Sequence, residues 1–212
     1  MEAVIPLAFT ASWASGINPY LLVFLMGILG RITSMEVPAA FERLDVLIVF
    51  AVLVAIDAVA DKIMWLDSAW DVFNTAIRPV AGATVAILIA SPSLDLPTAV
   101  IAASGGTVAL ITHLAKATTR LAVNASPEPA SNIAVSFAED FAIVGIVLLA
   151  IWYPWIAGGI ALALFLIAIV VALVLIKTAR VALRRRRDRR AEPAGSPQAP
   201  SPAVSGDAGQ RQ

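Results

Sequence analysis

From Trp155 to Ile176 the chain places no charged residue. Runs of this kind constrain the fold more than any other feature. In hydrocarbon every backbone N–H and C=O must be satisfied within the protein, which leaves helices or closed barrels. A helix rising about 1.5 Å per residue needs about 20 residues to cross roughly 30 Å of hydrocarbon. Runs of that order lie near 4–30, 44–62, 98–120, 133–153 and 155–178. A sixth, 67–90, opens with D-S-A-W-D-V-F-N-T-A-I-R-P and closes with V-A-G-A-T-V-A-I-L-I-A, so its first turns are partly polar. The expected class is an all-α integral membrane protein with six transmembrane helices, five being the alternative count. A hydrophobic content of 59%, a charged content of 14% and a mean hydropathy of +0.86 agree, since soluble domains carry about 25% charged residues.

The net charge of zero hides a segregation: residues 1–176 hold six Lys/Arg against twelve Asp/Glu, and residues 177–212 hold nine against three. Basic residues beside spans stay on the cytoplasmic side. The run K-T-A-R-V-A-L-R-R-R-R-D-R-R, 177–190, is therefore expected to place the C-terminus in the cytoplasm. Six spans put the N-terminus there too, with Lys62, Lys116 and Arg120 inward and Arg31 and Arg43 outward. The cluster Arg184–Arg190 also suits anionic lipid headgroups as partners. Beyond Ala191 the Pro, Ala, Gly and Ser content predicts a disordered tail. The N-terminus, M-E-A-V-I-P-L-A-F, lacks the basic flank of a signal peptide and is expected to be retained.

Shifting the sequence by 89 residues aligns Ala14, Ser15 and Gly16 with Ala103, Ser104 and Gly105, Leu21 with Leu110, Leu25 with Leu114, Arg31 with Arg120 and Pro38 with Pro127. Three spans separate the copies, so the second half would enter the membrane inverted. The expected organisation is a 3+3 inverted repeat, residues 1–92 and 93–180, followed by the basic and then disordered tail 181–212. Such repeats recur in secondary transporters, with sites at the repeat interface. In S-W-A-S-G-I-N-P, 12–19, Pro19 disfavours helical geometry at Asn18, so the first helix is expected to break near Gly16–Pro19. Asn18, Ser15, Gly16, Ser104 and Gly105 are candidate site residues; close helix packing is their structural alternative.

Charged groups inside a span are costly unless paired, hydrated or protonated. Asp57 and Asp61 stand one turn apart, with Lys62 next; an interfacial ion pair is the structural alternative for Asp61 and Lys62. Asp67, Asp71, Asn74 and Arg78 share one helical face, where Asp67 also suits a helix N-cap. Arg78 lies at least two turns inside its span and requires a carboxylate, with Asp71, Asp57 or an acid of the fifth span as candidates. Glu139 and Asp140 sit about two turns inside that span, and adjacent residues point about 100° apart, so at most one should face the interior squarely. The polar line is expected to face a water-accessible cavity open to the cytoplasm, with a locking ion-pair network as the alternative. His113 reads as a hydrogen-bonded packing or pathway residue, because no second histidine or cysteine accompanies it.

The stretches A-S-G-I-N-P-Y (14–20), A-D-K-I-M-W-L-D-S-A-W-D (60–71) and R-P-V-A-G-A (78–83) resemble a bacterial multi-pass membrane family, domain of unknown function 4126, over roughly residues 8–175. The resemblance implies a shared membrane domain and no activity. More distantly, D-A-V-A-D-K (57–62) is similar to the acidic-Gly-Asp-Lys signature of small inverted-repeat cation exchangers, with Ala60 at the glycine and no second acidic copy.

The chain carries no catalytic triad logic, metalloprotease motif, phosphate-cradling loop or nucleic-acid module. The expectation is not an enzyme but a small secondary transporter, proton- or cation-coupled, of unknown substrate. It would need no cofactor, handle a small solute or ion, and allow homo-oligomers. A non-transporting membrane scaffold or lipid-associated accessory protein is the alternative.

Overall fold

A computed structural model describes residues 3–33, 36–124 and 129–191. The described residues form seven helices: α1 Val4–Ile17, α2 Pro19–Ile32, α3 Leu44–Ala60, α4 Met64–Ala90, α5 Thr98–Asn124, α6 Pro129–Trp152 and α7 Pro154–Ala191. Four of them are long and apolar enough to cross a membrane by length and composition, at Ala69–Ala90, Thr98–Val123, Ile133–Trp152 and Pro154–Arg184. Large apolar side chains such as Val52, Ile56 and Val59 on α3 and Leu166, Val170 and Leu173 on α7 point outward. This is the surface of a multi-pass membrane protein, where lipid covers what water could not. The described residues divide into one compact unit up to Ile176 and a second that starts at Lys177.

The expected break is present. Asn18 is extended, φ −152° and ψ 91°, and Pro19 opens α2, where its missing N–H costs no helical bond. The Asn18 side chain accepts the Leu21 N–H at 2.9 Å, capping α2. Asn18→Ala should cost about 1–2 kcal/mol of helix and fold stability. The shift in unfolding midpoint of detergent-solubilised protein measures it.

Beyond the break the chain turns back instead of continuing as one kinked span. Along α1, Ser12 meets Gly105, Gly16 meets Ala109 and Thr112, and Ile17 meets Lys116, so α1 runs parallel to α5. Along α2, Tyr20 stacks near Phe50, while Gly27 further on meets Leu47, so α2 runs antiparallel to α3. With α3, α4 and α5 joined by short turns and alternating in direction, α1 and α2 must run oppositely. The two 14-residue helices form a hairpin whose tip is Asn18. Ala3 and Thr33, at its two ends, line the same cavity. Reversal is held by the return loop: a methyl group at Gly27 would strike the Phe41 carbonyl oxygen, and Arg31 donates to the Glu42 carbonyl at 2.9 Å.

Parallel α1 and α5 do not have the relation an inverted 3+3 repeat requires, so that repeat is not found in this packing. Its matched residues also part company. Arg31 is exposed whereas Arg120 is buried, and Ser15 is buried whereas Ser104 is exposed, its hydroxyl donating to the Ile101 carbonyl. The small residues are used for close approach: a methyl group at Gly16 would lie 2.5 Å from the Ala109 carbonyl oxygen, and one at Gly105 2.7 Å from that of Gly82. α4 continues unbroken through Pro79. Trp13, Ala14, Leu22, Val23, Val85, Ile143 and Val147 belong to the main apolar core.

Candidate functional site

At the hairpin tip lies a buried ionic cluster. Among the described residues six charged side chains are buried, and they balance: Asp57, Asp61 and Asp71 against Arg78, Lys116 and Arg120. Glu139 and Asp140 lie half-buried at its edge. Helical spacing explains the convergence. Asp71, Asn74 and Arg78 share a face of α4; His113, Lys116 and Arg120 repeat the same three-then-four spacing on α5; and α3 brings in Asp57 and Asp61 one turn apart.

The cluster has two parts. In the first, Arg78 is fully buried, with Nη1 3.4 Å from Asp71 Oδ1 and Nη2 3.8 Å from Asp57 Oδ1. Trp70 Nε1 donates to the same Asp57 oxygen at 2.6 Å, and Tyr20 donates to Asn74 Oδ1 at 2.9 Å. Arg78 Nη1 also lies 2.8 Å from His113 Nδ1. A guanidinium only donates, so Nδ1 accepts and the proton of the neutral ring sits on Nε2. That Nε2–H donates to Thr75 Oγ1 at 2.9 Å, and Thr75 in turn donates to the Asp71 carbonyl at 2.8 Å. The histidine is thereby fixed in one tautomer by donors and acceptors on both sides.

In the second part, Lys116 Nζ contacts Asp61 Oδ2 at 3.0 Å and Glu139 Oε2 at 3.3 Å. Arg120 Nη2 contacts the same oxygens at 3.1 and 2.8 Å. The α1 C-terminus joins the parts. Its Gly16 carbonyl lies 3.5 Å from Arg78 Nη1 and its Ile17 carbonyl 3.2 Å from Lys116 Nζ, so the negative end of the half-helix faces two cations. Across the tip, Asn18 Nδ2 donates to Asp140 Oδ1 at 3.4 Å.

Several expectations change. Asp61 is not in an interfacial pair with Lys62: it is buried against Lys116 and Arg120, while Lys62 donates to the Ala58 carbonyl and lies 4.7 Å from the centre of the Phe137 ring. Both Glu139 and Asp140 reach the cluster, because long basic side chains and Asn18 come to them. Ser104 stays outside it and Gly105 serves helix packing, while Gly16 serves packing and also turns its carbonyl to Arg78. Ser15 is fully buried with no hydrogen-bond partner for its hydroxyl, as is Ser136. The side chain of Asp67 and those of the Arg185–Arg190 run lie outside the described residues. Tyr20, Trp70, Lys116 and Arg120 are cluster members that the sequence does not single out as site residues, and they are joined by His113, which reads there as a packing or pathway residue. The 113–116–120 spacing is the signal that could have found three of them.

A cytoplasm-facing cavity is expected beside the polar line; the cavity that the structure shows lies elsewhere. A cavity of about 710 Å³ opens at the other end, between the hairpin arms. Six of the cluster's charged side chains are buried, yet Asp57 Oδ2, Asn74 Nδ2 and Arg78 Nε and Nη2 have no hydrogen-bond partner. Each such group costs about 1–3 kcal/mol when buried unsatisfied, so these atoms mark where a polar ligand or proton carrier would gain most. Among the described residues no three His, Asp or Glu side chains are grouped to hold a metal ion.

A family model described as domain of unknown function, DUF4126, matches residues 5–173, most of the chain. The protein belongs to that family. No curated protein and no solved structure matches the chain. The matched segment takes in every residue of the cluster and nearly the whole hairpin, so both are features of this chain's DUF4126 domain rather than of its basic tail.

Proposed function

We propose that the protein is a small secondary transporter of the bacterial inner membrane, proton- or cation-coupled, with Asp57, Asp71, Arg78 and Asn18 at its site. The observation that carries this reading is the α1 carbonyl end laid on Arg78 and Lys116 deep in the apolar bundle. Discontinuous helices whose ends meet charges at mid-depth are how transporters build solute and ion sites. Six balanced buried charges cost several kcal/mol of desolvation, a cost a pure anchor could avoid with apolar residues.

In this reading α3–α7 cross the membrane and the α1–α2 hairpin dips in from the outer face. The basic tail is cytoplasmic and the N-terminus lies on the opposite side, the reverse of a six-span arrangement. The Arg184–Arg190 cluster would hold anionic headgroups, and the outward face of α7 would accommodate lipid or a second copy.

The second reading, a non-transporting scaffold, is favoured by one observation: each cation of the cluster is buried and within 4 Å of a carboxylate. Proteoliposomes separate the two. Transport predicts proton or solute flux that falls at least about tenfold, roughly 1.4 kcal/mol, in Asp71→Asn and persists in Asp95→Asn, which changes an exposed loop. Equal flux in both variants, or flux no greater than in empty vesicles, leaves the scaffold reading standing.

A further inference from the structure

The cavity between the hairpin arms lies apart from the ionic cluster, and nothing in the transport reading requires it. It is walled by α1 through Leu7 and Ala11, by α2 through Leu22 and Met26, and by α6 through Val147 and Ala150. From Ala3 to Ala11 its α1 wall descends about 12 Å. Its floor is apolar, and Trp13, Ala14 and Ile143 belong to the core beneath it. Its mouth is polar: Thr33 and Ser93 stand there with Glu36, the one charged residue among the described residues of the lining. The Thr33 hydroxyl donates to the Leu29 carbonyl and so contributes a dipole without charge.

We propose that this cavity is a binding site for a single-chain amphiphile with a cationic head, its alkyl chain lying between α1, α2 and α6 and its head at Glu36. A volume of about 710 Å³ falls within the roughly 300–1,000 Å³ of sites that enclose small ligands. An apolar floor with one acid at the rim selects chain and charge together. An anionic amphiphile would place like charge beside Glu36, and a fully apolar solute would leave the rim unused. The hairpin gives the site its shape: two half-helices diverging from Asn18 leave a wedge that one straight helix would fill.

The test uses full-length protein in nanodiscs and a diazirine-bearing dodecyl ammonium probe, with adducts mapped by mass spectrometry. Labelling should saturate and concentrate on Leu7, Leu22, Met26 and Val147. Dodecyl ammonium should compete, and dodecyl sulfate should not. Glu36→Gln, an exposed change that leaves the core intact, should raise the half-saturating concentration about tenfold. Ala150→Phe, which fills the cavity, should remove labelling while Glu36→Gln alone keeps the adduct positions. Non-saturating labelling spread over the outward residues of α7 overturns the proposal. So does saturable labelling that is indifferent to Glu36→Gln or equally displaced by the sulfate.

Discussion

Replacing Arg78 with Gln should destabilise the protein by about 3–5 kcal/mol, the largest loss expected from any single polar substitution. Arg78 is fully buried, and both of its carboxylate partners are buried on the same side of the bundle. Without the guanidinium, Asp57 and Asp71 both lose a buried cation, and the His113 Nδ1 acceptor loses its donor. Most of the loss is thus the cost of what remains. A second change should therefore repair part of the first: Arg78→Gln with Asp71→Asn should be more stable than Arg78→Gln alone, with a coupling of about 1–3 kcal/mol. Denaturation in mixed detergent micelles measures both. An Arg78→Gln protein as stable as the parent would mean that the guanidinium is solvated, not buried.

Gly105→Val should cost about 3 kcal/mol through packing alone. A side chain there would meet Ala86, the Gly82 carbonyl oxygen at 2.7 Å and Ser12 Oγ at 3.0 Å. A backbone carbonyl inside a helix cannot rotate away, so α4 and α5 must separate. That separation would reach the site, because Arg78 and His113 lie on these two helices and touch each other. Loss of stability and loss of flux should therefore appear together. Gly159, with nothing within 4 Å of the position its methyl group would take, is the contrasting site. Gly159→Ala should be neutral or stabilising by up to about 1 kcal/mol through helix propensity. Equal effects at the two glycines would show that α4 and α5 do not approach closely at Gly105.

How much of this is readable in the sequence depends on the range of the interaction concerned. The helices are legible because apolar runs of sufficient length leave the backbone few alternatives. The break at Asn18 is legible because a proline acts on its neighbour. The direction taken after the break is not. Residues 4–30 are long enough to be read as one span, and a proline says nothing about where the next helix points. That direction is set by Gly27 on the Phe41 carbonyl and by α2 lying along α3, contacts between residues distant in sequence.

The cluster shows the same division. Asp71, Asn74 and Arg78 emerge from helical spacing, and Arg78 does meet two of the acids expected for it. Lys116 and Arg120 carry that spacing on α5 but read as membrane-edge residues, because basic residues near a span end ordinarily sit there. Only the approach of Asp61 and Glu139 draws them inward. The match of Ser15-Gly16 with Ser104-Gly105 misleads for a related reason. Both glycines serve close helix approach, a demand that recurs in membrane bundles without any shared ancestry.

The reversal at Asn18 supports the buried cluster, the cavity and the orientation of the N-terminus alike. It can be measured directly, because the chain has no cysteine and two can be introduced without background. Ile5 and Ile32 are exposed at 60% and 72%, so spin labels there would be tolerated. A continuous helix from one to the other would separate them by about 40 Å. A pulsed electron resonance distance well below that, under about 25 Å, is the expected result for full-length protein in lipid nanodiscs. A single distribution centred near 40 Å would mean that α1 and α2 form one span, and would contradict the hairpin together with the site built at its tip.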